Sequence, residues 1–137
     1  MNRMLVLAAL TSAHEFTKDT HRRFAGSLAA TGFDGSIVIF TTAREIADGD
    51  LLELQDEIDR LTLSPIAEMA DPGDINCYRY RHFRDYLTSR VDDFDHVMLS
   101  DARDVIFQRD ISRYPFAPDA DLFLAEEEKL IGDCPIN

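Results

Sequence analysis

The chain has 137 residues, 45% of them apolar, which is one domain's worth and enough for a single core. Against 14 Lys+Arg stand 26 Asp+Glu, a net charge of −12, which argues against nucleic acid and anionic membrane surfaces as partners. Cys77 and Cys134 form no CxxC pair and no disulfide framework, so a structural zinc site is not expected and a reduced, cytoplasmic setting is. An acidic chain can still take a nucleoside diphosphate where a divalent cation stands between its carboxylates and the phosphates.

In chain order, Met4–Leu10 is a continuous apolar run, the pattern of a strand buried on both faces. Arg3 before it and Thr11-Ser12-Ala13 after it give only a faint likeness to a secretion signal, because the apolar run is seven residues long. A helical period runs from about Phe16 to Ala30 through Phe24, Leu28 and Ala29, and Gly32 stops it. Ser36–Thr42 is β-branched and apolar, a second strand. Helical spacing of Leu51, Leu54 and Ile58 marks residues 50–61, and Ser64–Met69 reads as a short third strand weakened by Pro65.

The turn Asp71-Pro72-Gly73-Asp74 offers Asp74 as an N-cap for a helix over Ile75–Leu87, with Ile75, Tyr78, Phe83, Tyr86 and Leu87 on its apolar side. His96–Ser100 is a fourth strand and Asp121–Ala125 a fifth, followed by Glu126-Glu127-Glu128. There are no repeats, and no stretch approaches the roughly 20 apolar residues of a membrane span. Strands alternating with helices predict an α/β fold: a mostly parallel sheet flanked by helices, with ligands beyond the carboxyl ends of the strands.

One segment combines that position with chemistry. Val97-Met98-Leu99-Ser100 runs into Asp101-Ala102-Arg103-Asp104, two carboxylates three residues apart on a strand-end turn. Hard carboxylate oxygens suit Mg²⁺ or Mn²⁺ shared with substrate phosphates, and such a cation neutralises a leaving diphosphate. The bland alternative is a solvated turn in which Arg103 simply pairs with its neighbours. Arg79, Arg81 and Arg84 make a basic stretch in an acidic chain, and Arg79 is the one selected to meet phosphate. His14, His21, His82 and His96 show no metal spacing, and Cys134 has no base partner. Glu126 and Glu127 sit at a strand end where one could orient an acceptor, although a solvated charge run explains them as well.

Leu99–Asp110, Leu-Ser-Asp-Ala-Arg-Asp-Val-Ile-Phe-Gln-Arg-Asp, resembles the metal-binding segment of GT-A-fold glycosyltransferases with a Ser-Asp-x-Arg-Asp-Val-x-Phe-Gln pattern. Asn76-Cys77-Tyr78-Arg79-Tyr80 and Asp85-Tyr86-Leu87 are similar to the helix leading into that segment. The resemblance implies a Rossmann-like nucleotide-binding part of a GT-A fold spanning residues 1–137, cut before an acceptor-binding part. It also implies a hexosyltransferase-like reaction moving a sugar from a UDP- or GDP-sugar to a glycan or other hydroxyl acceptor. Asp104 matches the catalytic metal carboxylate and Asp101 the first acidic, metal-side position. Thr11, Ser12, Arg79, Asp101 and Arg103 would contact the nucleotide sugar. The spacing departs from the usual Asp-x-Asp, because Ala102 stands two residues before Asp104.

Two rivals stand beside this reading. A non-catalytic α/β binding or interaction module would use the acidic turn as a cap only. A metal-dependent phosphoryl-transfer enzyme would want a nucleophilic Asp after the first strand, and Thr11-Ser12-Ala13-His14-Glu15 offers none.

Overall fold

The computed structural model describes residues 3–11, 18–47, 49–68 and 75–124. Four parallel strands form one sheet in the order β3-β2-β1-β4: β1 is Met4–Ala9, β2 Ser36–Thr42, β3 Leu61–Ile66 and β4 His96–Ser100. β1 and β2 are central and buried on both faces, which is why both read as unbroken apolar runs rather than alternating ones. The α/β class and the all-parallel sheet expected from the sequence are both present.

One face of the sheet carries Met4, Val6, Ala8, Ile37, Ile39, Leu61 and Leu63. Against it packs a continuous helical run made of α1 (Lys18–His21), a π-helical turn (Arg22–Gly26) and α2 (Ser27–Ala30). Phe24, Ala25 and Leu28 supply its buried side. The run ends at Gly32 (φ 82°), whose N–H donates back to Ala29 O at 3.0 Å in a left-handed cap that a side chain would strain. Leu51 and Leu54 of α4 (Gly49–Glu57) complete this layer.

The other face, with Leu5, Leu7, Ala9, Val38 and Phe40, is covered by α5 (Ile75–Thr88) through Ile75 and Phe83. Phe40 is the hub: it stacks on His82 (5.9 Å between ring centroids), tilts on Phe83 (5.6 Å) and meets the edge of Tyr86 (5.8 Å). Tyr78, expected on this buried side, is instead exposed, because the stripe facing the sheet is Ile75–Arg79–Phe83.

Three further expectations are corrected. The third strand starts at Leu61 rather than Ser64, and the helix before it ends at Glu57. Pro65 is tolerated because β3 is an edge strand. Leu63 N–H points outward to Gln55 Oε1 at 2.9 Å, and Pro65, two residues on, faces the same way, so no ladder donor is lost. Asp121–Leu124 is irregular and exposed, not a fifth strand; Phe123 packs edge-on to Phe116 (5.0 Å) instead of entering a ladder. Among the described residues one α-helix went unforeseen, α3 (Ala43–Ala47). A reciprocal cap starts it, with Thr42 N–H donating to Glu45 Oε2 at 3.2 Å and Glu45 N–H to Thr42 Oγ1 at 3.3 Å. The turn at residues 71–74 lies outside the described residues. No described helix is long and apolar enough to cross a membrane.

β4 joins β1 across most of the chain, and its start is clamped. The Arg3 guanidinium donates to Asp95 Oδ1 at 2.9 Å and to Asp92 O at 3.0 Å, and Arg3 N–H donates to Asp95 Oδ2 at 2.8 Å. These bonds, the guanidinium's first, hold the Asp95 carboxyl down at about 2. A carboxyl depressed on folding stabilises the chain above its unfolded value of about 4, and that contribution is lost as pH falls toward 2. Carboxyl NMR titration should therefore find Asp95 near 2 and moved upward in Arg3→Ala; an unchanged midpoint would show that the clamp does not hold the charge.

Candidate functional site

The sheet order reverses once. From β1 the chain steps outward to β2 and β3 on one side, then returns to place β4 on the other. Ligands of such sheets sit beyond the carboxyl ends of the strands at the reversal; here the segments after β1 and β4 both pack on the α1–α2 face, with α5 on the other face. Those ends are Ala9–Thr11 on β1 and Ser100–Asp101 on β4. The register pairs Ala8 with Ser100, so Asp101 leaves the sheet beside Ala9. Leu10 stays tied to β2 through its N–H to Phe40 O (2.9 Å), and Thr11 is buried.

The acidic turn is held from within. Ala102 is 3% exposed and belongs to the core under α1–α2, whereas Asp101, Arg103 and Asp104 are exposed. Phe107 re-enters the same core, edge-on to Phe24 at 5.3 Å, and its N–H donates to Ser27 Oγ at 3.0 Å. Two buried anchors, Ala102 and Phe107, thus bracket the loop and force the charged residues outward. Position 102, two before Asp104, faces a dry core where a carboxylate would be unpaired, whereas Asp101 stands on the solvent side.

Arg79 is the partner of this turn. It lies on the α5 stripe Ile75–Arg79–Phe83, one helical turn from each neighbour, so its stem runs over the sheet and its guanidinium reaches the end of β4. Its Nη1 is ion-paired with Asp101 Oδ1, and its Nη2 donates to Tyr80 Oη at 3.2 Å. Burial works against its charge, but the Asp101 and Tyr80 hydrogen bonds outweigh burial and the pKa rises above the ordinary arginine value. Arg79 Nε is buried without a hydrogen-bond partner. Together Arg79, Tyr80, Phe83, Leu99, Ser100 and Asp101 line a cleft of about 190 Å³, smaller than the several hundred Å³ typical of whole-cofactor pockets.

The structure thus brings together Arg79 and Asp101 and sets Asp104 and Arg103 on the same turn. Ser12, Glu126, Glu127 and Cys134 lie outside the described residues. Tyr80 and Ser100 line the cleft although sequence reasoning did not select them; their adjacency to Arg79 and Asp101 was the available signal. Arg84 pairs with Asp85 at 2.7 Å and Arg81 lies over the exposed Tyr78 ring, so both belong to the outer face of α5. No group of three or more His, Cys, Asp or Glu is placed to share a cation among the described residues. A larger cleft, about 250 Å³, lies at the opposite, amino-terminal end of the sheet between Arg3, Asp34, Arg60 and Asp93. Its charges balance and it is far from the strand ends where such folds work, so the smaller cleft is the stronger candidate.

Comparison with protein families, curated proteins and solved structures returned no match to this chain.

Replacing Ala102 with Asp should destabilise the domain by about 3 kcal/mol, because it buries an unpaired carboxylate. Urea denaturation measures this directly, and an unchanged midpoint would mean that the turn is not anchored by the core.

Proposed function

We propose that this chain is a nucleotide-sugar-binding domain of the GT-A glycosyltransferase type, with its donor phosphates handled at the end of β4. The observation that carries the reading is the acidic turn standing at the strand-order reversal, beside Thr11 and with Arg79 reaching it from α5. The order β3-β2-β1-β4 matches the first four strands of the Rossmann order 3-2-1-4-5-6, in which the reversal point receives a nucleotide. The resemblance of Leu99–Asp110 to sugar-transferase metal segments points the same way.

The donor set fits a hard divalent cation. Asp104 is exposed and without a hydrogen-bond partner among the described residues, and Asp101 has a second oxygen beyond the one facing Arg79. Mg²⁺ and Mn²⁺ commonly take one or two carboxylates and complete their shell with phosphate and water, so a cluster of three protein ligands is not required. Bound there, such an ion would neutralise the diphosphate leaving group of a UDP- or GDP-sugar. Of the chain's own groups, Asp104 holds that charge in place, Asp101 stands beside it, and Arg79 supplies the fixed cation on the α5 side. Thr11, buried just past the end of β1, would be on the side of a base or ribose. The acceptor is a glycan or other hydroxyl compound.

The Arg79–Asp101 pair also supports a second reading, a non-catalytic module whose turn is a structural latch. The two differ in cation dependence. Thermal unfolding with a panel of nucleoside diphosphates, with and without Mn²⁺, should show a Mn²⁺-dependent rise of several degrees for one nucleotide. A ligand at about 100 times its Kd adds roughly 2.7 kcal/mol to a domain of this size. Asp104→Ala should abolish the rise. No Mn²⁺-dependent shift with any nucleotide would favour the latch.

A further inference from the structure

We propose that the cleft beside Arg79 is a phosphoryl-binding site which the chain occupies with its own Asp101 carboxylate until a ligand displaces it. The inference rests on the reading of the β4 end as a phosphate-handling site, and it adds a specific brake on that site.

The asymmetry of the ion pair is the first argument. The Arg79 side chain is 16% exposed and that of Asp101 57% exposed. Arg79 lies one helical turn from the buried Ile75 and Phe83 on α5, and its guanidinium lines the cleft with Phe83 and Leu99. Asp101 approaches from the solvent side on a turn whose anchor is the neighbouring Ala102, not Asp101 itself. The cation is therefore built in and the anion is replaceable. Pairs with so exposed a partner are worth little, so displacing the carboxylate costs little.

Unused donors are the second argument. A guanidinium carries five N–H donors in a planar fork suited to two or more oxygens of one anion. Asp101 accepts through a single oxygen, Oδ1, from Nη1, and the Arg79 Nη2 at the same end of the fork donates to the neighbouring Tyr80 hydroxyl. Tyr80 Oη accepts from Arg79, which leaves its own O–H free to donate toward the same cleft. A phosphoryl group offers three oxygens and more charge than a carboxylate, and can span the Nη1–Nη2 end of the fork and take the Tyr80 hydroxyl where Asp101 engages only Nη1. A cleft of about 190 Å³ has room for a phosphoryl group with part of what it is attached to.

The consequence is an autoinhibitory contact: lone anions compete with Asp101, while a cation that draws Asp101 toward Asp104 would free Arg79 for the phosphate. The test needs no cation. Pyrophosphate binding is measured by titration calorimetry in EDTA at physiological salt, using the full chain. Asp101→Asn, which keeps shape and removes the competing charge, should bind pyrophosphate about two- to fivefold more tightly than wild type. Arg79→Gln added to Asp101→Asn should abolish the gain. Arg79→Lys in the same background keeps charge and packing but not the fork, and should retain only part of it. Equal affinity in wild type and Asp101→Asn, or a gain that survives Arg79→Gln, would overturn the proposal. Either result leaves Mn²⁺-dependent nucleotide binding and its loss in Asp104→Ala untouched, so the brake and the transferase reading fail separately.

Discussion

The pairing of β4 with β1 is the contact on which the rest of the arrangement depends. Arg3 and Asp95 are 92 residues apart in sequence, and their bonds fix where β4 begins against β1. From that point the parallel register runs without interruption to Ala8 opposite Ser100. A slip of one residue would turn Met98 away from the core under α1–α2 and drive Leu99 into it. It would also carry Asp101 to the other face, away from Arg79. The candidate site is thus a product of register, set by apolar alternation within β4 and by a polar clamp at its start.

A second constraint is the division of labour between the two faces of the sheet. The α1–α2 side takes Ala102 and Phe107 into its core and so shapes the acidic turn. The α5 side contributes Arg79 and leaves Leu99 about half exposed, which opens the cleft at the sheet's edge. Neither face alone builds the site. The carboxylates are presented by one layer and the cation by the other, and they meet only where β4 ends. Two apolar clusters, one on each face of the sheet, separate the layers, and the pair forms where Arg79 from one meets Asp101 beside the buried Ala102 of the other.

Much of this was legible in the sequence. Ser36–Thr42 and His96–Ser100 have the predicted bounds because each is a short apolar run closed by polar residues. α5 was legible from its apolar spacing, but that spacing was read with Tyr78 on the buried side, where the structure has Arg79. The start of β3 was misread because Leu51, Leu54, Ile58 and Leu61 continue a helical period past the true helix end at Glu57. α3 was missed although Thr42-Ala43-Arg44-Glu45 is a capping-box sequence. The apolar stretch Asp121–Leu124 suggested a strand, but a strand also needs a ladder partner, and that information is tertiary. The Arg79–Asp101 pair, 22 residues apart and joined across an element boundary, could not be read from spacing at all.

The central claim is that the end of β4, and no other acidic surface of this strongly acidic chain, receives a cation together with a nucleotide diphosphate. Paramagnetic broadening of backbone amide resonances by trace Mn²⁺, recorded with and without a nucleoside diphosphate, addresses that claim directly. The account predicts nucleotide-dependent broadening centred on Asp101–Asp104, extending to Thr11 and Ser100 across the strand-order reversal. Broadening centred elsewhere, such as on Asp92–Asp95, or broadening indifferent to nucleotide, would contradict it.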